Sequence, residues 1–200
     1  MSRVVVNLTV SLDGYIAGPN DGPGNPLGDG GAALFAWWSA GQVALRGDER
    51  LRPPAASLPF VERMLDVGAV ITGRRTFDIA GGWGGQHPLG VPFFVLSHRP
   101  VPAHVGPGTD GHAVAGTIED ALASARAVAG GRAVAVGAAS VAQQFIRAGL
   151  LDELQLNLVP VLLGGGVRLL ENLGPTAPRL ELRDFLASDG VTHLAYTVIH

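Results

Sequence analysis

Short β-branched apolar runs that alternate with amphipathic segments of helical length constrain this chain most. The sharpest unit is Val134-Ala135-Val136-Gly137-Ala138-Ala139-Ser140-Val141-Ala142-Gln143-Gln144-Phe145-Ile146. It is an apolar run, a glycine, two small residues and a serine, then apolar positions at helical spacing. A strand that turns straight into a helix, repeated along a chain, builds a mostly parallel sheet. A parallel neighbour is reached only through a crossover, and the crossing helices cover the sheet faces. The turn also has a chemical use. The first N–H groups of a helix lack intrahelical partners and carry the positive end of its dipole, so the turn is a ready anion site.

The other segments repeat this grammar. Strands are expected at Arg3–Leu12, Ala69–Thr72, Val91–Leu96, His112–Val114, Ala133–Val136 and Glu153–Val161. Helices are expected at Ala32–Ser39, Leu58–Val67 after a Ser57 cap, Thr76–Ala80, Ile118–Ala129 after a Thr117 cap, and Val141–Ala148. Leu180–Leu186 and Thr192–Ile199 are separated only by a turn at Ser188-Asp189-Gly190, so they pair as an antiparallel hairpin. The expected fold is one α/β domain over residues 1–200, three-layered α/β/α, with a mixed, mostly parallel sheet. The glycine- and proline-dense stretch from Gly18 to Gly31 is expected to be a long loop, mobile or ordered by a ligand.

Composition removes several function classes. There is no cysteine, which excludes disulfides, thiolate nucleophiles and cysteine metal sites. A net charge of -3 without any basic run argues against nucleic-acid binding. The six histidines show no ligand spacing, so no metal is expected. No apolar stretch approaches a membrane span, and the chain enters a strand at once, so a cytoplasmic protein is expected. There is no G-x-G-x-x-G, since Gly164-Gly165-Gly166 is followed by Leu169 where a third glycine would stand. G-K-[ST] and G-x-S-x-G are also absent.

Ligands of open α/β sheets sit at the carboxyl ends of the strands. Two of those ends carry cations beside hydroxyls: Gly73-Arg74-Arg75-Thr76 and Leu96-Ser97-His98-Arg99. Arginine suits bidentate phosphate contact. Two cationic ends beside the Gly137 turn are what a dinucleotide such as NADP needs.

Four segments taken in order, Ser11-Leu12-Asp13-Gly14-Tyr15-Ile16-Ala17, Gly73-Arg74-Arg75-Thr76-Phe77, Val95-Leu96-Ser97-His98-Arg99 and Val136-Gly137-Ala138-Ala139-Ser140, resemble the dihydrofolate-reductase-like family. The run from Gly149 to Gly166 resembles in particular the C-terminal reductase domain of bacterial riboflavin biosynthesis proteins. The resemblance implies NADPH as cofactor. Arg74, Arg75 and Thr76, after Gly73, would hold the ribose phosphate and pyrophosphate. Leu96, Ser97, His98 and Arg99 would flank the adenosine end. Gly137, Ala138, Ala139, Ser140, Val141 and Gln144 would bind the pyrophosphate. Thr9, Ile16 and Ala17 would lie against the nicotinamide.

Two departures qualify this. Ala138 stands where many relatives have a second glycine, which predicts strain if that peptide needs glycine geometry. True dihydrofolate reductases carry an acid on the helix before the second strand, and Ser57-Leu58-Pro59-Phe60-Val61 has none, so folate reduction is not expected. Asp13 is the acid left near the site, read either as a turn former before Gly14 or as a catalytic, proton-relaying group. Trp38, Trp83 and Gly84 are expected to build the substrate pocket, since aromatics on loops suit a planar heterocycle. No H-x-E with P-C-x-x-C precedes the reductase segments, which leaves a stand-alone unit. The expected function is an NADPH-dependent reductase of a small planar heterocycle or carbonyl, with a ribosylaminopyrimidine of riboflavin biosynthesis as one candidate. The alternative is a non-catalytic binder of a flavin, pterin or drug. A homodimer is the expected assembly, with Val159–Leu163 as one candidate surface.

Overall fold

A computed structural model describes residues 1–100, 105–175 and 177–200. Strand β1 (Val4–Ser11) is followed by a short β2 (Tyr15–Ala17) and a 3-10 helix over Gly31–Ser39. Then come α1 (Leu58–Leu65), β3 (Val67–Gly73), α2 (Arg74–Ile79), β4 (Phe93–Leu96), β5 (Gly111–Val114) and α3 (Ile118–Val128). The chain continues with β6 (Ala133–Val136), α4 (Ala139–Arg147), β7 (Glu153–Val159), β8 (Val167–Arg168), β9 (Arg179–Ser188) and β10 (Val191–Ile199).

Eight strands form one sheet in the order β5-β4-β3-β6-β1-β7-β10-β9. Every pair from β5 to β7 is parallel, and β10 is antiparallel to both β7 and β9. This is the expected mixed sheet with its terminal hairpin. Alternate residues split between the faces. Val4, Val6, Ile71, Val134 and Val136 pack under α3 and α4 with Leu122 and Phe145. Val5, Val67, Val70, Phe93 and Val95 pack on the other face with Phe77. A third cluster joins Leu34, Trp37 and Val61 to the ends of β7 and β10 at Val159 and Val191.

Several boundaries moved for identifiable reasons. α3 starts where expected because Thr117 and Asp120 form a reciprocal cap. α4 begins two residues before Val141, because nothing in Ala139 or Ser140 opposes helix once the turn closes. Val67 belongs to β3, not to the preceding helix, as its side chain is needed on the sheet. The small β2–β8 pair has no signal in the sequence. Gly166 permits it: with φ at 119°, a side-chain carbon there would lie 2.0 Å from the Ala17 carbonyl oxygen.

The Gly18–Gly31 stretch is bound up by its own contacts. The Asp29 carboxylate accepts from Asn20 Nδ2 at 2.6 Å and Asn25 Nδ2 at 2.9 Å, and Gly22 and Asn25 exchange backbone hydrogen bonds.

Candidate active site

The carboxyl ends of β1, β3, β4 and β6 converge, and two cavities open there. The first, about 210 Å³, is lined by Ile16 and Ala17 after β1, Arg75 and Thr76 on α2, and Gly137, Ala139 and Ser140 at the β6–α4 turn. Asp21 and Pro26 reach in from the 18–31 loop. The second, about 300 Å³, is bordered by Leu96 and His98 after β4 and by Gln144 on α4. α4 carries no side-chain cap, so its first-turn N–H groups lack an intrahelical partner.

The remaining expected cofactor residues support these walls. Gly73 brings β3 against α4: a side-chain carbon there would lie 3.2 Å from Val141 Cγ2 and 3.6 Å from Ser140 Oγ. Val141 and Thr9 are buried. Ala138 is the α4 N-cap with φ -143° and ψ 138°, an ordinary extended geometry, so alanine is accommodated without strain. The Ser97 hydroxyl closes its own turn, accepting from the Arg99 N–H at 3.1 Å.

The arginines are arranged differently from expectation. Arg74 Nε donates to Asp78 at 2.7 Å and its Nη1 to the Pro100 carbonyl at 2.7 Å. Arg99 donates to the other Asp78 oxygen at 3.3 Å. Asp78 thus ties the two cationic strand ends into one cluster. Arg75, more than half exposed, is the arginine that borders the first cavity, and it pairs with Asp21 at 2.8 Å.

Asp13 has an anchoring geometry. It accepts from the Ser11 hydroxyl at 2.6 Å, from the Leu163 N–H at 3.1 Å and from the Gly164 N–H at 2.7 Å. The Ser11 hydrogen bond, with those from the backbone, holds its pKa down to about 2. An acid that stays ionised and is taken up by three donors fits the turn-forming reading of Asp13.

The tryptophans are engaged in packing. Residues 81–85 all have positive φ, forming a single left-handed turn, and this explains the glycines around Trp83. The Trp83 ring stands edge-on to Phe77, Phe93 and His87, with centroids 5.9, 5.4 and 4.7 Å away. It packs the turn onto the sheet, and Gly84 lies exposed beside it. Trp38 stacks on buried Trp37 at 4.4 Å and belongs to the third core cluster.

A wider cleft of about 430 Å³ lies on the sheet face away from α3 and α4. Asn7, Gln155, His87, Leu89 and Val136 are among its walls, and Gly137 borders both it and the first cavity. An oriented hydrogen-bond chain reaches it, with Asn7, Gln155 and Glu153 among the lining residues. The Ser57 hydroxyl donates to His193 Nε2 at 2.8 Å, and His193 Nδ1–H donates to Asn157 Oδ1 at 2.7 Å. Asn157 Nδ2 donates to Asn7 Oδ1 at 3.0 Å, Asn7 Nδ2 to Gln155 Oε1 at 2.6 Å, and Gln155 Nε2 to Glu153 at 3.3 Å. Glu153 is clamped by Arg183 at 2.7 and 3.1 Å and by Arg3. Burial pushes the pKa of His193 down to about 4, with the Arg63 charge adding to it, and burial does the same to His87. The chain was not foreseen. Its signal was Asn7, Gln155 and Asn157 standing polar inside apolar strands.

Residues 109–194 match the RibD C-terminal domain family. No curated protein matches the sequence. Among solved structures, a protein assigned to riboflavin biosynthesis from Shewanella sp. PV-4 superposes with TM-score 0.75 at 25% identity, covering 99% of both chains. A dihydrofolate reductase from Enterococcus faecalis, complexed with NADP(H) and RAB-propyl, gives 0.59 at 16% identity, covering 98% of this chain and 96% of that one. A pyrimidine reductase-like protein from Corynebacterium diphtheriae gives 0.62 at 14% identity, covering 100% and 92%. The chain has the dihydrofolate-reductase-like fold, and its residues 109–194 match the RibD C-terminal domain.

Proposed function

We propose that this protein is an NADPH-dependent reductase acting on a small planar heterocycle or carbonyl compound. The observation that carries the reading is the convergence on one cavity of Ile16, Ala17, Arg75, Thr76, Gly137, Ala139 and Ser140, all expected cofactor residues. The donor set fits the group: a guanidinium, two hydroxyls and uncapped helix N–H groups suit phosphate oxygens. Arg75 would hold the ribose phosphate, Thr76, Ser140 and the α4 amides the pyrophosphate, Leu96, His98 and Gln144 the adenosine side, and Ile16 and Ala17 the nicotinamide. When bound, NADPH supplies a hydride.

The chain's own residues bind and orient. The substrate occupies the 430 Å³ cleft, which meets the cofactor cavity at Gly137. Asn7 and Gln155 each keep an amide N–H beyond the one spent in the hydrogen-bond chain, and these donate to ring carbonyl or imine acceptors. A ribosylaminopyrimidine is one such substrate. With Asp13 committed to its turn, protonation is left to water or the substrate itself. The rival reading, a binder that clamps its ligand between tryptophans, loses support because Trp38 and Trp83 are used in packing.

Titration with NADPH tests the proposal. Saturable binding is expected, tighter than that of NADH, and weakened by Arg75→Ala.

A homodimer forms part of the proposal. Leu180, Leu182 and Phe185 on β9 share a face with their partners Val198, Tyr196 and Leu194 on β10. The three β9 residues are 40, 50 and 65% exposed. The helices on that face lie over β3, β4 and β6, away from β9. A self-complementary apolar patch fits a second copy across a two-fold axis. Of the Val159–Leu163 run, Val159 is buried in the core and Leu162 exposed.

A further inference from the structure

The cofactor cavity holds an acid that belongs to no phosphate-binding pattern. Asp21 lines it opposite Arg75, whose Nη2 donates to Asp21 Oδ1 at 2.8 Å and to the Asp21 backbone carbonyl at 3.1 Å. The Asp21 side chain is only 14% exposed, while that of Arg75 is 60% exposed. Arg75 thus projects its guanidinium onto a carboxylate at the cavity wall. Arg74 and Arg99, the other two cations of the cluster, are both committed to Asp78. Arg75 is therefore the cation that a cavity anion would meet first.

The carboxylate is held there by a built scaffold. Asp29 gathers Asn20 and Asn25, which flank Asp21 in sequence, and the Gly22–Asn25 bridge closes the loop tip. The Asp29 N–H donates to the Pro19 carbonyl at 2.7 Å and the Gly18 N–H to the Leu27 carbonyl at 2.8 Å, tying the loop base. A carboxylate and a phosphate oxygen compete for the same guanidinium N–H groups.

Resting on the cofactor reading above, with Arg75 as the partner of the ribose phosphate, we propose that Asp21 is a specificity-determining residue: an internal anion on Arg75 that the ribose phosphate of NADPH must displace. A cofactor with a free ribose hydroxyl has no such need. Asp21 therefore holds down the preference for NADPH over NADH. The pair is open to solvent on the arginine side, so it is worth about a two- to fivefold change in an equilibrium constant.

Calorimetric titration of the wild type, Asp21→Asn, Arg75→Ala and the double variant with NADPH and with NADH tests this. Asp21→Asn should tighten NADPH about two- to fivefold, leave NADH unchanged, and give no gain once Arg75 is alanine. Asp21→Ser should behave alike, and thermal melts confirm that each variant is folded. If the wild type prefers NADPH but Asp21→Asn leaves its affinity unchanged or weakens it, the role of Asp21 is overturned and the cofactor site stands. If neither wild type nor Asp21→Asn binds NADPH, the cofactor site itself is overturned, and Asp21 with it.

Discussion

Gly166 and Trp83 are two positions where the backbone is left-handed or crowded, with opposite consequences for the residue. At Gly166 a methyl group would collide with the Ala17 carbonyl, at 2.0 Å, beside the cavity that Ala17 lines. Gly166→Ala is expected to destabilise the fold by about 2–4 kcal/mol, read from urea unfolding. It should also weaken cofactor binding, because Ala17 must move. Trp83 is the inverse case, a bulky residue in left-handed backbone at φ 48°, held there by Phe77, Phe93 and His87. From sequence alone, a tryptophan among four glycines has the look of a mobile binding loop. The handedness of the turn, which needs the glycines, cannot be read from composition. Asp13 and Arg75 illustrate the same limit. Their residue types were legible, but their partners lie at Leu163–Gly164 and Asp21, far away in the chain.

At the scale of elements, strands and helices were legible because β-branched runs and caps act locally. β1, β3 and β6 fall where their valines and isoleucines are, and α3 begins at its Thr117–Asp120 cap. The hydrogen-bond chain was not legible, because it depends on register. Asn7 meets Gln155 only because β1 and β7 pair in parallel with those residues opposite, and His193 meets Asn157 by the same logic across β10. Two buried histidines make stability sensitive to acid. His193 and His87 take up protons near pH 4 when folded and near 6.5 when unfolded. Between those values the unfolded chain binds more protons, so stability falls as pH drops from 6.5 toward 4 and is level above 6.5. The slope is at most roughly 1.4 kcal/mol per pH unit for each histidine. Urea unfolding at stepped pH values measures it, and His87→Phe should remove about half of the slope. A stability that stays level down to pH 4 would contradict the buried, neutral state of both rings.

At the scale of the whole molecule, the layer architecture and the convergence of four strand ends followed from the alternation of strands with helices. The exposed apolar row on β9 did not. Leu180, Leu182 and Phe185 share one side only because a bulge shifts the pairing between Ala195 and Tyr196. Light scattering on a sizing column should give twice the chain mass for the wild type and one chain mass for Phe185→Asp, with the fold retained. A wild-type protein that elutes with one chain mass at tens of micromolar would reject the dimer.

The account turns on a phosphorylated dinucleotide at the ends of β1, β3 and β6, and the affinities for NADPH and NADH measured side by side test that most directly. One NADPH per chain is predicted, with NADH weaker by about tenfold or more, and with Arg75→Ala erasing most of the difference. Equal affinity for the two nucleotides, or an NADPH affinity indifferent to Arg75, would contradict it.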